Sequence, residues 1–195
     1  MNSFKPFLTK ALASYEEPAV CQAAVGVIGD ISRALGKNFA SHAEELMTHL
    51  LTALMNPKLD KSVRPHILSL FGDIAMAVST DFVRYLTHCM NSLKQASSVE
   101  IDKTDFDQVD YLNELHESVI GGITGILHGL KGQDVIPAPA IFEIVAHLEF
   151  ICQLIKKISG DSERTDSVVS STCGLIGDII TTLVTECPPQ YRVIF

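Results

Sequence analysis

The sequence has few basic residues. Its 15 lysines and arginines stand against 23 aspartates and glutamates, which gives a formal net charge of −8 at pH 7. Because the phosphates of DNA and RNA attract basic surfaces, this deficit disfavours nucleic-acid binding and favours a basic protein partner. Charged residues make up only 19% of the 195 residues, whereas 47% are hydrophobic. This balance predicts helices that bury more than one face, or else an apolar surface that lies open.

Cysteines are also few, and they form no C-x-x-C pair. There are five, an odd number: Cys21, Cys89, Cys152, Cys173 and Cys187. They fall within or at the ends of helix-like runs, which predicts reduced thiols that pack as small buried hydrophobes rather than disulfides or a zinc site. Reduced thiols indicate the cytosol or the nucleus.

Signals for a leader or a membrane span are missing. Residues 1–10 alternate charged and apolar side chains too closely for the apolar region of a signal peptide. The longest apolar stretch, residues 167–185, carries Asp178 near its middle. A bilayer-spanning helix of about 20 residues tolerates such a charge poorly. We therefore predict no membrane segment.

Catalytic and metal-binding motifs are absent as well. The sequence contains no H-E-x-x-H, no G-x-S-x-G and no P-loop, and its seven histidines lack metal-ligand spacing. The aspartates between 102 and 110 lack the glycine and the glutamate of a calcium loop. Residues 129–132 match the G-x-x-G of some RNA-binding domains, but a helix C-terminus with a left-handed glycine is the better interpretation. We predict no catalytic, cofactor-binding or metal-binding residue, and an enzyme is disfavoured.

The sequence does contain an internal repeat. Four segments align without gaps, at residues 20–35, 63–78, 112–127 and 168–183, and their central glycines are Gly29, Gly72, Gly121 and Gly177. At 100° per residue, the shared apolar positions fall within one arc of about 100°, so each segment predicts a helix with one buried stripe. The glycines lie 43, 49 and 56 residues apart. Such intervals are typical of two-helix HEAT or armadillo repeats, with insertions in the longer ones.

Partner helices are predicted between these segments, which we term B helices. The partner A helices cover residues 4–13, with Pro6 in the first turn, then 41–55, 81–93 and 137–155. Ser41 and Glu44 form a capping-box pattern at the start of the second A helix. Strand and hairpin signals are missing.

We therefore predict an all-α fold, a HEAT-repeat α-solenoid of stacked antiparallel helical hairpins with about four repeats. The repeats cover residues 1–37, 38–80, 81–131 and 132–185, and residues 186–195 begin a further one. The B helices are expected near 17–36, 61–79, 108–130 and 164–185. Neither end has a polar cap, so we expect exposed apolar residues there: Phe4, Phe7, Leu8, Val193, Ile194 and Phe195.

Negative charge is concentrated in residues 98–120, where seven acids stand against Lys103 alone. Asp110, Glu114 and Glu117 are spaced to share one helix face, turned away from the buried stripe. Such like charges cost stability unless a cation balances them, and the outward face of one helix layer lines the concave surface of a solenoid. A merely solvated helix face is the alternative. The mid-helix glycines leave room for close approach of an adjacent repeat or of a bound helix, and the sequence leaves both open.

Several segments resemble a known family in order and spacing. MNSFKPFL, VGVIGDISRAL, SVRPHILSLFGDIA, DKTDFDQVDYLNELHES and GLIGDI resemble the C-terminal HEAT repeats of the importin-β family of nuclear transport receptors. The resemblance covers most of residues 1–183. It implies a non-enzymatic receptor of the cytoplasm and nucleus, including the nuclear envelope and pore, that carries protein through the pore.

The resemblance also implies partners. Acidic groups on the inner B helices of such receptors bind the basic importin-β-binding helix of importin-α or a basic cargo. Grooves of the outer A helices take the phenylalanines of nucleoporin phenylalanine-glycine repeats. Ran GTPase binds an N-terminal part that this sequence does not include. The acids that fit the basic-helix site here are Asp30, Asp73, Asp110, Glu114, Glu117 and Asp178, and Gly122 interrupts the series where the third repeat lacks an aspartate. The alternative function is a HEAT-repeat scaffold, such as a regulatory subunit of a phosphatase or kinase complex.

Overall fold

The computed structural model describes residues 3–132 and 136–182, and every regular element within those ranges is a helix. The α-helices are α1 Lys5–Leu12, α2 Pro18–Leu35, α3 Ala40–Met55, α4 Val63–Val78, α5 Val83–Ser97, α6 Phe106–Lys131, α7 Ala138–Ser159 and α8 Asp166–Ile180. Short 3₁₀ turns, Gly36–Phe39 and Ser79–Phe82, precede α3 and α5. The predicted all-α fold is confirmed for these residues.

The four predicted B helices are α2, α4, α6 and α8, and A helices lie between them. The B helices form one layer in the order α2, α4, α6, α8, and the A helices form a second layer in the order α1, α3, α5, α7. Neighbouring B helices pack more closely than neighbouring A helices. A stack with one tighter layer curves toward that layer, so the B helices line the concave side. The division into repeats at residues 37, 80 and 131 stays a prediction.

The core lies between the two layers and is built from the predicted stripes. Ile28 of α2, Phe71 and Ile74 of α4, and Leu50 of α3 are fully buried, as is Phe82 of the second 3₁₀ turn. Helix α4, in the middle of the B layer, buries residues on most sides. The high apolar content of the sequence is therefore largely explained by helices that bury more than one face.

Left-handed residues end three of the B helices. Gly36 follows α2 and Gly132 follows α6, with φ angles of 50° and 51°. Ser79 takes the corresponding place after α4 with φ 58°, although a side chain there is strained. Its hydroxyl donates a hydrogen bond to the carbonyl of Gly129 across the B layer. The interpretation of residues 129–132 as a helix C-terminus is thus confirmed at Gly132.

The predicted capping box at Ser41 is wrong. Helix α3 begins at Ala40, directly from the 3₁₀ turn, and the Ser41 hydroxyl donates to the carbonyl of Asn38 at 3.1 Å. The buried Phe39 fixes that turn, and the turn already leads the backbone into the helix. A side-chain cap is therefore not needed.

The central glycines fall into two groups, which the sequence did not separate. A methyl group on Gly72 would lie 3.1 Å from the Cα of Gly125 and 3.0 Å from the carbonyl oxygen of Gly121, so α4 and α6 touch through their backbones. Gly29 is also buried, against α4. By contrast, a methyl group on Gly121 or Gly177 would meet nothing within 4 Å. Close approach of an adjacent repeat, one of the two alternatives that the sequence left open for the mid-helix glycines, is confirmed for Gly29 and Gly72, because the neighbouring B helix covers them.

The predicted burial of the cysteines is confirmed for two residues and wrong for two. Cys21 and Cys89 are buried free thiols, and burial raises the pKa of Cys89 far above its usual value. Cys152 and Cys173 are free but exposed, on sides of α7 and α8 that no described element covers. Cys187 lies outside the described residues.

Three helical stretches are long and apolar enough to cross a membrane, by length and composition alone: Pro18–Met55, Val63–Ser97 and Ala138–Ser159. The first two join two helices through a 3₁₀ turn. Between 33% and 50% of each apolar window is buried inside the protein, and all three stretches contribute to the core. The absence of a membrane segment stays a prediction.

At the N-terminal end of the stack, Phe4 and Phe7 are 64% and 72% exposed, as expected. Leu8 is not, because it turns into the core. Residues 193–195 lie outside the described ranges.

Candidate partner-binding face

All six predicted acids lie on helices of the B layer. Asp30 is on α2, Asp73 on α4 and Asp178 on α8, while α6 carries the other three. The side chain of Asp30 is 75% exposed, whereas those of Asp73 and Asp178 keep only 27% and 28% of their surface. The acids therefore share one layer but differ in how open they are to a partner.

Asp30 and Asp73 already have a cation between them. The Arg33 guanidinium donates to Asp30 at 2.7 Å and to Asp73 at 2.6 Å, which joins α2 to α4. Because one arginine serves two carboxylates, it compensates half of their negative charge.

Two further contacts join α6 to α8 and engage predicted acids. The Ser167 hydroxyl of α8 donates to Glu117 at 2.5 Å. His128 of α6 lies 3.0 Å from Asp178 of α8, as an ion pair only when the imidazole is protonated. Asp178 is thus partly covered and has a partner, and we rank it below the acids of α6 as a binding residue.

The most open negative charge is on α6. Asp110, Glu114 and Glu117 lie on successive turns and are exposed, and we call them the acidic ridge. Among residues 3–132 and 136–182, no lysine or arginine pairs with any of the three. The imidazole of His66 on α4 lies 4.0 Å from Glu114, and the two form an ion pair only when the imidazole is protonated. The ridge is therefore the part of the face with uncompensated charge.

The acids that precede the ridge have local roles. Asp105 is the N-cap of α6 and accepts from the backbone N–H groups of Asp107 and Gln108. Its hydrogen bond from the Gln108 side chain holds its pKa below the usual range. Asp102 accepts from Thr104 in a tight turn, which lowers its pKa in the same way. The acidic loop is therefore mainly a device that starts α6.

Lysines tie this loop to the next helical pair. Lys157 of α7 donates to the carbonyls of Ser97 and Val99 and to Glu100, at 3.3, 2.8 and 3.0 Å. Lys103 pairs with Asp161 at 2.8 Å. Glu100 and Lys103 are therefore used in packing, and most of the negative charge left to face a partner is on the helix.

A buried histidine lies beneath the ridge. His116 is 3% exposed, and its Nε2 atom has no hydrogen-bond partner among the described residues. Burial, together with a smaller effect of the nearby charge of Lys157, lowers its pKa from 6.5 to about 4. The imidazole is therefore neutral at pH 7 and adds no positive charge to the face.

Sequence reasoning missed the groups that connect the B helices. Arg33 stands three residues after Asp30, and this spacing was a usable sign of its first contact. Asn113 of α6, which binds the Glu163 carbonyl and the Thr165 N–H of the loop before α8, carried no such sign. Within the described residues, no group of three or more His, Cys, Asp or Glu is arranged to hold a metal ion.

Comparison with known proteins places this fold and face in a family context. The family model described as "Importin subunit beta-1-like, TPR repeats" matches residues 1–191. The importin subunit beta-1 of Schizosaccharomyces pombe is 33% identical over 178 residues, which is 91% of this chain and 20% of that protein. This chain thus spans about a fifth of the length of the curated relatives it matches.

Solved structures of importin-β type are similar throughout the chain. One, which describes Kap95p binding to RanGDP, has a TM-score of 0.82 at 29% identity and covers 93% of this chain and 21% of its own. A Kap95:Nup1 complex has a TM-score of 0.81 at 30% identity, with 93% and 20% covered. The family description speaks of TPR repeats, but the glycine intervals of 43 to 56 residues exceed the 34 or so of that repeat and suit HEAT hairpins. The predicted HEAT-repeat solenoid is confirmed.

Proposed function

Because the chain belongs to the importin subunit beta-1 family, we propose that it is a segment of a nuclear transport receptor that binds a basic helix along the acidic ridge of α6. The occupant is the basic importin-β-binding helix of importin-α or a basic cargo of similar charge. The observation that carries the proposal is the exposure of Asp110, Glu114 and Glu117 on successive turns without a lysine or arginine paired to them in the described part of the chain.

The acids of the other B helices have a smaller part in this proposal. Asp30 and Asp73 share Arg33, so they hold α2 and α4 together and offer a partner less attraction. Asp178 is paired with His128 when that imidazole is protonated. These three residues border the site, and the ridge is its centre.

Other partners of the parent receptor follow from similarity. Solved relatives describe Kap95p with RanGDP and with Nup1. We propose that a receptor containing this segment engages Ran and nucleoporins, shuttles between cytoplasm and nucleus through the pore, and has no enzymatic role. The family membership favours this receptor over a scaffold or regulatory subunit of a phosphatase or kinase complex.

A charge-matched pair of variants tests the ridge. The test variant changes Asp110→Asn, Glu114→Gln and Glu117→Gln, and Glu117→Gln keeps an oxygen for the Ser167 hydroxyl. The control changes Glu16, Glu17 and Glu44 to Gln, since all three are exposed and lie either directly before α2 or on the A helix α3, apart from the ridge on α6. We leave Glu45 out of the control because it pairs with Lys5 at 2.5 Å. Both variants raise the net charge by the same amount.

Binding of a fluorescent, lysine- and arginine-rich helical peptide is measured from 50 to 300 mM salt. Each exposed contact contributes little alone, on the order of 0.2–1 kcal/mol, so removal of all three should cost the ridge variant about threefold to 150-fold in affinity at low salt. Its salt dependence should flatten, because screened charge pairs are removed. Equal losses in both variants would mean that the ridge is only a solvated surface.

A further inference from the structure

Helix α6 projects beyond its neighbours at its N-terminal end. It has 26 residues, whereas α4 has 16 and α8 has 15. Helices α4 and α6 end at the same level, because the hydroxyl of Ser79 after α4 bonds the Gly129 carbonyl in the last turn of α6. The extra length of about ten residues, or about 15 Å, therefore lies at the start of α6.

Phe106 is the first residue of this projection, and it faces solvent. Its side chain is 81% exposed. The other exposed phenylalanines and aliphatic residues lie mostly on α1, α2 and α8, at the two ends of the described stack. Phe106 is different, because α6 has a B helix packed on each side. The lack of an adjacent repeat therefore does not explain why Phe106 is exposed.

Phe106 also lies in line with the acidic ridge. At 100° per residue, Asp110, Glu114 and Glu117 fall within about 80° of it on the same side of α6. The axial rise places Asp110 about 6 Å and Glu117 about 17 Å from Phe106 along the helix. One exposed stripe thus presents an aromatic ring followed by three carboxylates.

We propose that Phe106 is the apolar anchor of the basic-helix site, which binds a partner helix carrying one large aliphatic side chain at the end of its basic face. This inference rests on the proposed function, because the acidic ridge supplies the attraction that brings the partner to α6. The ridge alone attracts any cation, and its contacts are individually weak and screened by salt. Burial of an aromatic ring is insensitive to salt and depends on what it meets, so it adds selectivity among basic segments.

The partner chemistry follows from the order of groups on the stripe. A leucine, isoleucine or methionine lies on the ring, and lysines or arginines follow within about 6 to 17 Å. A uniformly basic helix without the aliphatic residue binds more weakly, and a membrane surface is not favoured because the stripe is acidic.

The test uses the 195-residue chain and two peptides. Both are basic helices of about 20 residues, and they differ in a single Leu→Ala change at the end of the basic face. A second pair carries the leucine at the opposite end, because the peptide can lie in either direction. The protein variants are Phe106→Ala, Phe106→Leu and the control Phe7→Ala, whose ring is 72% exposed on the A helix α1. Circular dichroism of each variant checks that the helices are intact.

We expect Phe106→Ala to weaken binding of the leucine peptide of one pair about tenfold and to leave binding of the alanine peptide unchanged. This pattern would show that Phe106 and the peptide leucine are energetically coupled. The salt dependence should stay that of the unaltered chain. Phe106→Leu should keep most of the affinity, and Phe7→Ala should keep all of it. Equal affinities of Phe106→Ala and Phe7→Ala for the leucine peptides would overturn the anchor. If the ridge variant still lowers affinity in that case, the proposed function stands and only this inference fails. If neither change matters, the basic-helix site itself is wrong.

Discussion

Replacing Gly125 by alanine should destabilise the stack, whereas the same change at Gly121, one turn earlier on α6, should stabilise it. A methyl group on Gly125 would lie 2.5 Å from the Cα of Gly72 and 2.9 Å from its carbonyl carbon. Ordinary carbon contacts are about 3.5–4.0 Å, so the two backbones must separate by about 1 Å. At Gly121 the methyl group would meet nothing within 4 Å.

The expected magnitudes follow from these distances. Alanine gains up to about 1 kcal/mol over glycine inside a helix, and this gain applies at both positions. Overpacking of a close contact costs about 1–3 kcal/mol, with more expected here because both partners are backbone. Gly125→Ala should therefore lose about 1–3 kcal/mol net, while Gly121→Ala should gain about 0.5–1 kcal/mol.

Urea denaturation followed by circular dichroism measures the difference. With a slope of about 2 kcal/mol per molar urea, the midpoint should fall by about 0.5–1.5 M for Gly125→Ala and rise slightly for Gly121→Ala. Because stacked repeats can unfold in parts, amide exchange in α4 and α6 is measured as well, and protection should fall there first in Gly125→Ala. Midpoint shifts of the same sign in the two variants would refute the backbone contact between α4 and α6.

Three further predictions concern charge, pH and the end of the stack. Arg33→Gln should tighten binding of a basic peptide and steepen its salt dependence, because it removes the cation that pairs with Asp30 and Asp73. An unchanged salt dependence would contradict this. The pKa of His116 is lowered to about 4 in the folded chain, so the free energy of unfolding should fall by up to about 3 kcal/mol as the pH drops from 6.5 toward 4. The urea midpoint of His116→Leu should lack that decline. A parallel decline in the variant would assign it to other groups. Phe4→Ser with Phe7→Ser should reduce self-association in sedimentation velocity, since both rings are exposed at the first helix, and a monodisperse parent chain would oppose this.

The helices could be predicted from the sequence because each has a strong stripe of its own. The stripe around Gly72 gave α4 to within two residues, and the predicted start of α6 at 108 differs from Phe106 by two. The outward direction of Asp110 also followed from helical geometry alone. These features depend on residues close together in the chain.

Features that depend on how one helix lies against the next could not be predicted. The salt bridge from Arg33 to Asp73 and the backbone contact at Gly72 both need the register between neighbouring B helices, which the stripes do not contain. The exposure of Cys152 has the same origin, because its helix has no neighbour on that side within the described residues. The capping pattern at Ser41 misled because a preceding 3₁₀ turn replaced it.

The contact of α4 with α6 through bare backbone has a mechanical consequence. Side chains between two helices can change rotamer and let the axes slide, but backbone against backbone at Gly72 and Gly125 leaves almost no such compliance. The α4–α6 junction should therefore be the stiffest contact between neighbouring B helices. Bending of the stack should therefore be taken up mainly at the junctions of α2 with α4 and of α6 with α8, which are joined by polar bridges such as those of Arg33 and Ser167. The stiffness of the stack should thus vary along its length, and bending should be easiest on either side of the α4–α6 pair, whose helix α6 carries the acidic ridge.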